Sequence, residues 1–340
     1  MAGLLRDRGI DARYVNLDYV VPNHLKKAEL NQTFYSNLAV AIAEEVLKCG
    51  SGVPVVTGYF GQVPGSLLAA IGRGYTDLCA ALLAVGLEAE ELQIWKEVDG
   101  IFTADPRKVP TARLLASITP EEAAELTFFG SEVVHPFVCE QVIRARIPIR
   151  IKNVENPLGN GTIIFPDKIH RAGETPSPHY LKQEEYFNNI QSSISRLDRR
   201  PTAVTIKDHI IVINIHSNRK SVSHGFLASI FSLLDKHKLV VDLISTSEVH
   251  VSMALHEGIR EHVLRELVDD LKRHGTVDVV KEMAILSLVG KEMKHLVGIA
   301  GRMFSTLASV GVNIEMISQG ASEIKYFPFP LSRIHNSLTV

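Results

Sequence analysis

Over residues 1 to about 166, the hydrophobic positions switch repeatedly between helical spacing and short continuous runs. Asn37–Lys48 has apolar residues at helical spacing and is followed by Gly50, so we predict a helix that ends there. Val53–Thr57 is a short apolar run of the kind that forms a buried strand. Strands separated by helices predict an α/β domain with a mainly parallel sheet. Further helices are predicted at Asp77–Val85, Glu121–Phe128 and Glu132–Ala145, and further strands at Arg13–Leu17, Leu92–Trp95 and Ile147–Lys152.

Residues 167–200 interrupt this pattern. Pro176, Pro178 and Pro201 punctuate polar sequence, which is typical of a linker.

The rest of the chain contains an internal repeat with an offset of 73 residues. GFLASIFSLLDKHKLVVDLIS begins at Gly225, and GIAGRMFSTLASVGVNIEMIS begins at Gly298. Each copy predicts a helix that starts at its glycine, then a turn and a strand. Another strand is predicted before each copy, at His209–Ile215 and Ala284–Val289.

The first copy continues into a strand at Val249–Leu255, a helix near Glu261–Arg273 and a strand at Val277–Val280. This order is βαββαβ, the ferredoxin-like unit. The second copy begins in the same way and stops short, so we expect it to be incomplete.

Composition narrows the class of protein. With 46 % hydrophobic and 22 % charged residues, the chain resembles soluble globular proteins, and 340 residues allow two or three domains. A net charge of −2 gives no long-range field that would recruit nucleic acid or an anionic membrane. Without a signal peptide or a membrane-length apolar run, we expect a cytoplasmic protein. Three cysteines without a CxxC pair predict reduced, mostly buried thiols and no metal site.

Thr57–Asp77 (TGYFGQVPGSLLAAIGRGYTD) is the first stretch with candidate chemistry, because it is glycine-rich and lies between a strand and a helix. The N-terminus of the helix suits an anionic ligand. Arg73 could grip a carboxylate or phosphate in a forked pair, and Thr76 and Asp77 could cap the helix. A flexible loop followed by a capped helix is an equally good interpretation.

Trp95–Arg107 (WKEVDGIFTADPR) is the second such stretch, because ligands of open α/β sheets lie at the carboxyl ends of strands. Lys96 and Arg107 could meet nucleotide phosphates, and Phe102 could cover a base. Taken alone, a solvated charged turn is the better interpretation. In a third stretch, GSEVVHP, a structural role for His135 is favoured over a catalytic one.

Together these stretches resemble one family. GYFGQVPGSLLAAIGRGYTDLCAALLAVGL, QIWKEVDGIFTADPRKVPTARLL and AAELTFFGSEVVHPF are similar to the catalytic domain of aspartate kinases of the fungal type. HGFLASIF, VDLISTSEVHVS and NIEMISQGASEI are similar to their paired ACT regulatory domains. The resemblance covers residues 1–324. It implies part of an amino-acid kinase fold over 1–166, a linker over 167–200, ACT domains over 201–280 and 281–324, and an atypical tail over 325–340.

The activity implied is transfer of a phosphoryl group from ATP, with Mg²⁺, to L-aspartate, giving ADP and 4-phospho-L-aspartate at the start of threonine and methionine synthesis. The resemblance also implies an amino-acid effector, with threonine favoured, and a homo-oligomer formed through the ACT domains. The implied aspartate site is Arg73, Thr76 and Asp77; the implied ATP site is Lys96, Glu97, Phe102 and Arg107; the implied effector site is Gly225, Val241, Asp242, Ser247 and Glu248. Glu132 stands where bacterial relatives often have a lysine.

The sequence departs from the family at both ends. The Lys-Phe-Gly-Gly-Thr-Ser and Ser-x-Gly-Glu strings of the family do not occur, so no catalytic residue is assigned and we expect negligible activity from the chain alone. The segment after Ile324 does not resemble the family, so we expect the second ACT domain to lack a strand and to expose a sheet edge. A non-catalytic regulatory module remains an alternative. A kinase for another amino acid, such as glutamate, is disfavoured by the ACT pair.

Overall fold

The computed structural model describes residues 1–21, 31–63, 66–71, 74–128, 134, 136–165, 201–217, 225–247, 249–256, 258–290, 293, 296–319 and 323–328. The chain forms two compact units. Unit 1 comprises Met1–Ile101, Leu114–Phe128 and Glu132–Asp198, and unit 2 comprises Phe102–Arg113, Phe129–Ser131 and Arg199–Val340. None of the helices in the described ranges has both the length and the apolar composition of a membrane span.

Unit 1 alternates helices and strands, as predicted. Its helices are α1 (Ala2–Asp7), α2 (Gln32–Leu47), α3 (Leu67–Ala70), α4 (Tyr75–Gly86), α5 (Pro120–Phe128) and α6 (Pro136–Arg144). Its strands are β1 (Ala12–Val15), β2 (Val53–Val56), β3 (Leu92–Lys96), β4 (Ser117–Ile118), β5 (Ile149–Asn153) and β6 (Thr162–Ile164).

The sheets of unit 1 are mainly parallel. β1 and β2 pair in parallel, and a four-stranded sheet has the order β3-β5-β6-β4. In that sheet β3–β5 and β4–β6 are parallel, and only β5–β6 is antiparallel. The predicted α/β class is therefore confirmed.

Helix α2 shows how the sequence builds this unit. Asn31 caps it, because its side-chain oxygen accepts a hydrogen bond from Phe34 N at 3.1 Å. The helix therefore begins five residues before the predicted Asn37. It packs closely against α4, since a Cβ built on Gly86 would lie 2.2 Å from Ala39 O. Only glycine allows this approach.

Unit 2 is a single six-stranded antiparallel sheet with helices. The sheet has the order β11-β12-β10-β7-β9-β8. The strands are β7 (Ala203–Ser217), β8 (Val241–Thr246), β9 (His250–His256), β10 (Gly275–Val289), β11 (Ile314–Gln319) and β12 (Glu323–Pro328), and the helices are α7 (Phe226–Lys236), α8 (Glu261–Leu271) and α9 (Ile299–Ser309).

The two long strands β7 and β10 are shared between two lobes. Lobe 1 consists of β8, β9, α7, α8 and the adjoining parts of the long strands, 210–217 and 275–280. Lobe 2 consists of β11, β12, α9, residues 283–289 of β10 and residues 203–207 of β7. Lobe 1 follows the predicted βαββαβ order.

Lobe 2 corrects the expectation of a lost strand. The segment after Ile324 takes part in β12, which pairs with both β10 and β11. The fourth strand of this lobe comes from the N-terminal part of β7, which runs beside β10 from Ala203↔Val289 to Lys207↔Ile285. Each lobe therefore has four strands, and β12 is not an unpaired edge.

Alternate side chains of β7 pack into two different hydrophobic cores. Ile211, Ile213 and Ile215 pack with α7 and α8 in the core of lobe 1. Ile210 and Val212 point to the opposite face, where they form a second core between the lobes, which includes Ala254, Met283, Ile285 and Met316.

Candidate functional site

The C-terminal end of β2 packs directly on the first turn of α4. A Cβ built on Gly58 would lie 2.4 Å from Thr76 Cγ2 and 2.9 Å from its Cα, so only glycine fits here. Next to it, Cys79 Sγ donates a hydrogen bond to Thr57 O at 3.6 Å. These contacts fix the N-terminus of α4, whose cap residue is Gly74; the prediction that Thr76 and Asp77 cap this helix is wrong, because both lie inside its first turn. The amide groups of this turn and its helix dipole favour an anionic ligand.

At this helix end the structure brings together two predicted site residues from different stretches. Asp77 lies in the first turn of α4, Lys96 ends β3, and Lys96 Nζ lies 3.5 Å from Asp77 Oδ2. Both side chains are about 30 % exposed, so the pair is open to a ligand. Thr76 is exposed beside them, whereas Arg73 lies outside the described residues.

The loop that follows β3 is held by hydrogen bonds that the sequence did not indicate. Asp99 Oδ1 accepts hydrogen bonds from Asn153 Nδ2 at 3.0 Å and from Asn156 Nδ2 at 3.3 Å. The N–H of Val154 donates to Lys96 O at 2.9 Å. The ends of β3 and β5 are thereby joined at the carboxyl edge where Lys96 lies.

The hydroxyl group of buried Thr162 also holds this loop in place. Its Oγ1 accepts a hydrogen bond from Ile101 N at 2.8 Å and donates one to Leu115 O at 2.6 Å. A Cβ on Gly100, whose φ is +147°, would lie 2.4 Å from this hydroxyl. A lone threonine beginning a three-residue strand gives no sequence signal for such a role.

The predicted ATP residues fall into both units. Lys96 and Glu97 belong to unit 1, and Glu97 is exposed; half-buried Phe102 and exposed Arg107 belong to unit 2. Arg107 forms a forked pair with Asp105, with Nε–Oδ1 and Nη2–Oδ2 distances of 3.1 Å. The Arg107 guanidinium lowers the pKa of Asp105, and the carboxylate in turn raises the pKa of Arg107. This local pair matches the interpretation of the segment as a charged turn.

The predicted effector residues lie in lobe 1. Gly225, with φ of 88°, precedes α7, and its repeat partner Gly298, with φ of 83°, precedes α9. Val241 packs on the core of lobe 1. The buried Asp242 carboxylate pairs with Lys207 Nζ at 2.8 Å. Ser247 is exposed, and Glu248 lies outside the described residues.

Two other kinds of chemistry find no support within the described ranges. There, His, Cys, Asp and Glu side chains form no group of three that could hold a metal ion. Burial raises the pKa of Cys79 and of Cys139 to about 12, so these thiols are protonated and poor nucleophiles. His135 and Glu132 lie outside the described residues.

Comparison with known proteins gives a consistent result. The profile of the amino acid kinase family matches residues 1–153, and an ACT domain profile matches residues 286–326. Aspartokinase of Schizosaccharomyces pombe is 60 % identical over 324 residues, and that of Saccharomyces cerevisiae is 58 % identical over 331. Each alignment covers 95 % of this chain and 62 % of the relative, so the chain spans about three fifths of their length.

Comparison with solved structures agrees with the comparison of sequences. Escherichia coli aspartokinase III, in complex with aspartate and ADP, superposes with a TM-score of 0.74 at 26 % identity, over 99 % of this chain and 70 % of that one. By sequence and by fold, the chain is similar to aspartokinases over almost its whole length.

Proposed function

We propose that the chain acts in an aspartate kinase, which transfers the γ-phosphoryl group of ATP to the β-carboxylate of L-aspartate and yields ADP and 4-phospho-L-aspartate. The observation that carries this proposal is 58–60 % identity to fungal aspartokinases over 95 % of the chain. The solved relative with aspartate and ADP bound supports the choice of substrates.

The geometry fits phosphoryl transfer, which depends on positioning and on stabilising negative charge. Arg73 would hold the α-carboxylate of aspartate, with Thr76 and Asp77 beside it at the N-terminus of α4. Lys96 would exchange its contact with Asp77 for a phosphate oxygen, while Glu97, Phe102 and Arg107 would contribute to the nucleotide site. The described residues contain no dedicated cluster of metal ligands, which suits Mg²⁺ carried mainly by the phosphates of ATP, where it offsets their charge.

We also infer that lobe 1 binds an amino-acid effector, with threonine as the candidate. The N-terminus of α7 would receive the α-carboxylate, and Asp242 would receive the α-ammonium in exchange for Lys207. Ser247 and Glu248 would contact the side chain. Binding by unit 2 without catalysis is a second candidate function, favoured by the complete set of four strands in each lobe. A homo-oligomer through this unit belongs to the same proposal, and three free buried cysteines suit a reducing cytoplasm.

The activity is tested by exchanging residues 1–324 into the matching segment of the fission yeast enzyme. We expect ATP- and aspartate-dependent acyl hydroxamate formation within about tenfold of the parent enzyme, because the chemistry would be retained. Lys96→Ala should reduce kcat by about 10²-fold, the typical effect of losing one preorganised charge that stabilises the transferred phosphoryl group. Lys48→Ala, which removes an exposed lysine paired with Glu45, is the control. A folded chimera without activity would refute the proposal.

The effector is tested on the 340-residue chain by calorimetric titration with threonine. We expect saturable heat that Asp242→Asn abolishes. A folded chain that gives no heat with millimolar threonine, lysine or methionine would exclude an effector site for these amino acids.

A further inference from the structure

Two neighbouring residues of β7 carry opposite charges, and each binds a different element of unit 2. Lys207 Nζ lies 2.8 Å from Asp242 Oδ2 on β8, the strand of the proposed effector site. Asp208 Oδ2 lies 3.2 Å from Nζ of Lys108, in the segment Phe102–Arg113. All four side chains are less than one third exposed, so neither pair is a fully solvated surface contact.

The segment Phe102–Arg113 is attached to β7 at two points. Besides the ion pair of Lys108, its Thr103 O accepts a hydrogen bond from Val204 N at 2.8 Å. The segment is also closed on itself, because Thr103 N donates to Arg113 O at 2.9 Å and Arg113 N donates to Thr103 Oγ1 at 3.0 Å. The segment is therefore a closed loop that is fastened to β7 at two points.

The Lys108–Asp208 pair is difficult to replace. The other carboxylate oxygen of Asp208, Oδ1, is buried and has no hydrogen-bond partner among the described residues. Loss of Lys108 would leave a partly buried carboxylate without its cation, which is much more costly than the loss of an exposed pair. We therefore expect the segment to rearrange when Lys108 is removed.

The pairing of β7 with β10 is also irregular at this point. The register of β7 against β10 passes from Lys207↔Ile285 to Ile210↔Met283 and skips Asp208 and His209. His209 has a left-handed backbone, with φ of 60°. Asp208 thus lies where the pairing of β7 with β10 is interrupted, directly after Lys207, which binds Asp242 on β8.

We propose that Lys108 is a positioning residue for ATP, which holds the segment of Phe102 and Arg107 on β7 through Asp208, and that Lys207 makes this hold sensitive to the effector site. The inference rests on the proposed function, which assigns Phe102 and Arg107 to the nucleotide. An effector ammonium that takes Asp242 releases Lys207, and the adjacent Asp208 then shifts with its strand. Effector binding would therefore weaken ATP binding and leave aspartate binding unchanged.

The test uses the 340-residue chain and two measurements, hydrogen exchange of the peptide covering residues 102–113 and calorimetric binding of MgATP. Lys108→Ala and Asp208→Asn should each speed exchange of this peptide and weaken ATP binding by about tenfold. Lys108→Arg keeps the cation and should restore both to near the unmodified values. Lys272→Ala, which removes an exposed lysine paired with Asp269 in the same unit, should change neither.

The effector branch is measured on the same peptide. Saturating threonine should speed its exchange in the unmodified chain and add nothing in Lys108→Ala. Unchanged exchange in Lys108→Ala, faster exchange without weaker ATP binding, or failure of Lys108→Arg to restore both would each overturn the positioning role. A threonine effect that persists in Lys108→Ala would overturn the coupling. If the unmodified chain binds no ATP, the nucleotide role of Lys108 fails, whereas the activity of the chimera decides the proposed function, and the exchange data report separately whether Lys108 fastens the segment to β7.

Discussion

His209 and Glu282 lie 73 residues apart, the offset of the internal repeat, and each adopts a left-handed backbone with φ of 60°. Lys238, with φ of 55°, and Gly311, with φ of 70°, are separated by the same offset. Residues other than glycine rarely adopt this conformation. The repeat therefore imposes the same bend twice, once in the middle of each long strand, and the bend belongs to the fold rather than to one sequence.

The bend predicts an unusual response at His209. His209→Val should lower the free energy of unfolding by about 1 kcal/mol or more, because a β-branched side chain clashes in the left-handed conformation. His209→Gly should change it by less than about 0.5 kcal/mol, since relief of strain offsets the greater freedom of the unfolded chain. Urea unfolding followed by circular dichroism measures both. His216→Val, at an exposed position of β7 with ordinary strand backbone, is the control and should be neutral. Equal effects at the two histidines would contradict the prediction.

Gly58→Ala should destabilise unit 1 by about 1–3 kcal/mol, because its Cβ would overlap Thr76 at the start of α4. Gly301→Ala is the matched control. Its Cβ meets nothing within 4 Å, and in the first turn of α9 alanine should raise stability by up to roughly 0.5–1 kcal/mol. Thermal unfolding of the two variants should therefore shift in opposite directions. A neutral Gly58→Ala would show that α4 does not need this close contact.

Thr162→Val should lower the free energy of unfolding by about 1–3 kcal/mol, because it leaves Ile101 N and Leu115 O buried without their hydroxyl partner. Hydrogen exchange at the Ile101 amide should become faster. Thr162→Ser keeps the hydroxyl and should retain most of the protection. If valine and serine protect this amide equally, the hydroxyl does not hold the loop after β3.

Asp270 predicts a specific acid response. Hydrogen bonds from Lys236 and then His237 hold the pKa of Asp270 at about 2, below its usual value of 3.8. The unfolded chain takes up this proton near pH 4 and the folded chain only near pH 2, so this contribution to stability is complete above about pH 4 and lost as the pH falls towards 2. Asp270→Asn should be less stable at pH 7 and lose less on acidification. The urea midpoint from pH 7 to 2.5 measures this. Asp235→Asn, at an exposed position of α7, should keep the acid response of the unmodified chain.

The sequence predicted the elements whose periodicity is local. The interiors of α2 and α4 and the order of lobe 1 follow from apolar spacing. β4 and β6 were missed because two and three residues are too few to show a period. The long strands were predicted too short, because Lys207–His209 and Lys281–Glu282 are polar and interrupt the apolar pattern where the strands bend.

The wrong expectation concerned lobe 2, and its cause is physical. The fourth strand of lobe 2 comes from a segment some 80 residues earlier in the chain, so the sequence of the second repeat does not contain it. At the candidate site, residue types indicated Asp77 and Lys96 individually, and their approach to 3.5 Å depends on how β3 and α4 pack. The hydrogen bonds of Asp99 and Thr162 could not be predicted, because their partners lie 47–61 residues away along the chain.

The sharing of β7 and β10 has a consequence for how unit 2 folds. Neither lobe closes its own sheet, because each takes its fourth strand from a segment that begins or ends in the other. Their contacts span a large separation in sequence, which makes the folding nucleus slow to form. If one lobe unfolded, the other would lose a neighbouring part of β7 or β10. Partial unfolding is therefore unfavourable, and we expect unit 2 to fold and unfold in one cooperative transition. Cutting the chain between the repeats would leave each fragment with an incomplete sheet. We therefore expect that neither copy of the repeat folds without the other.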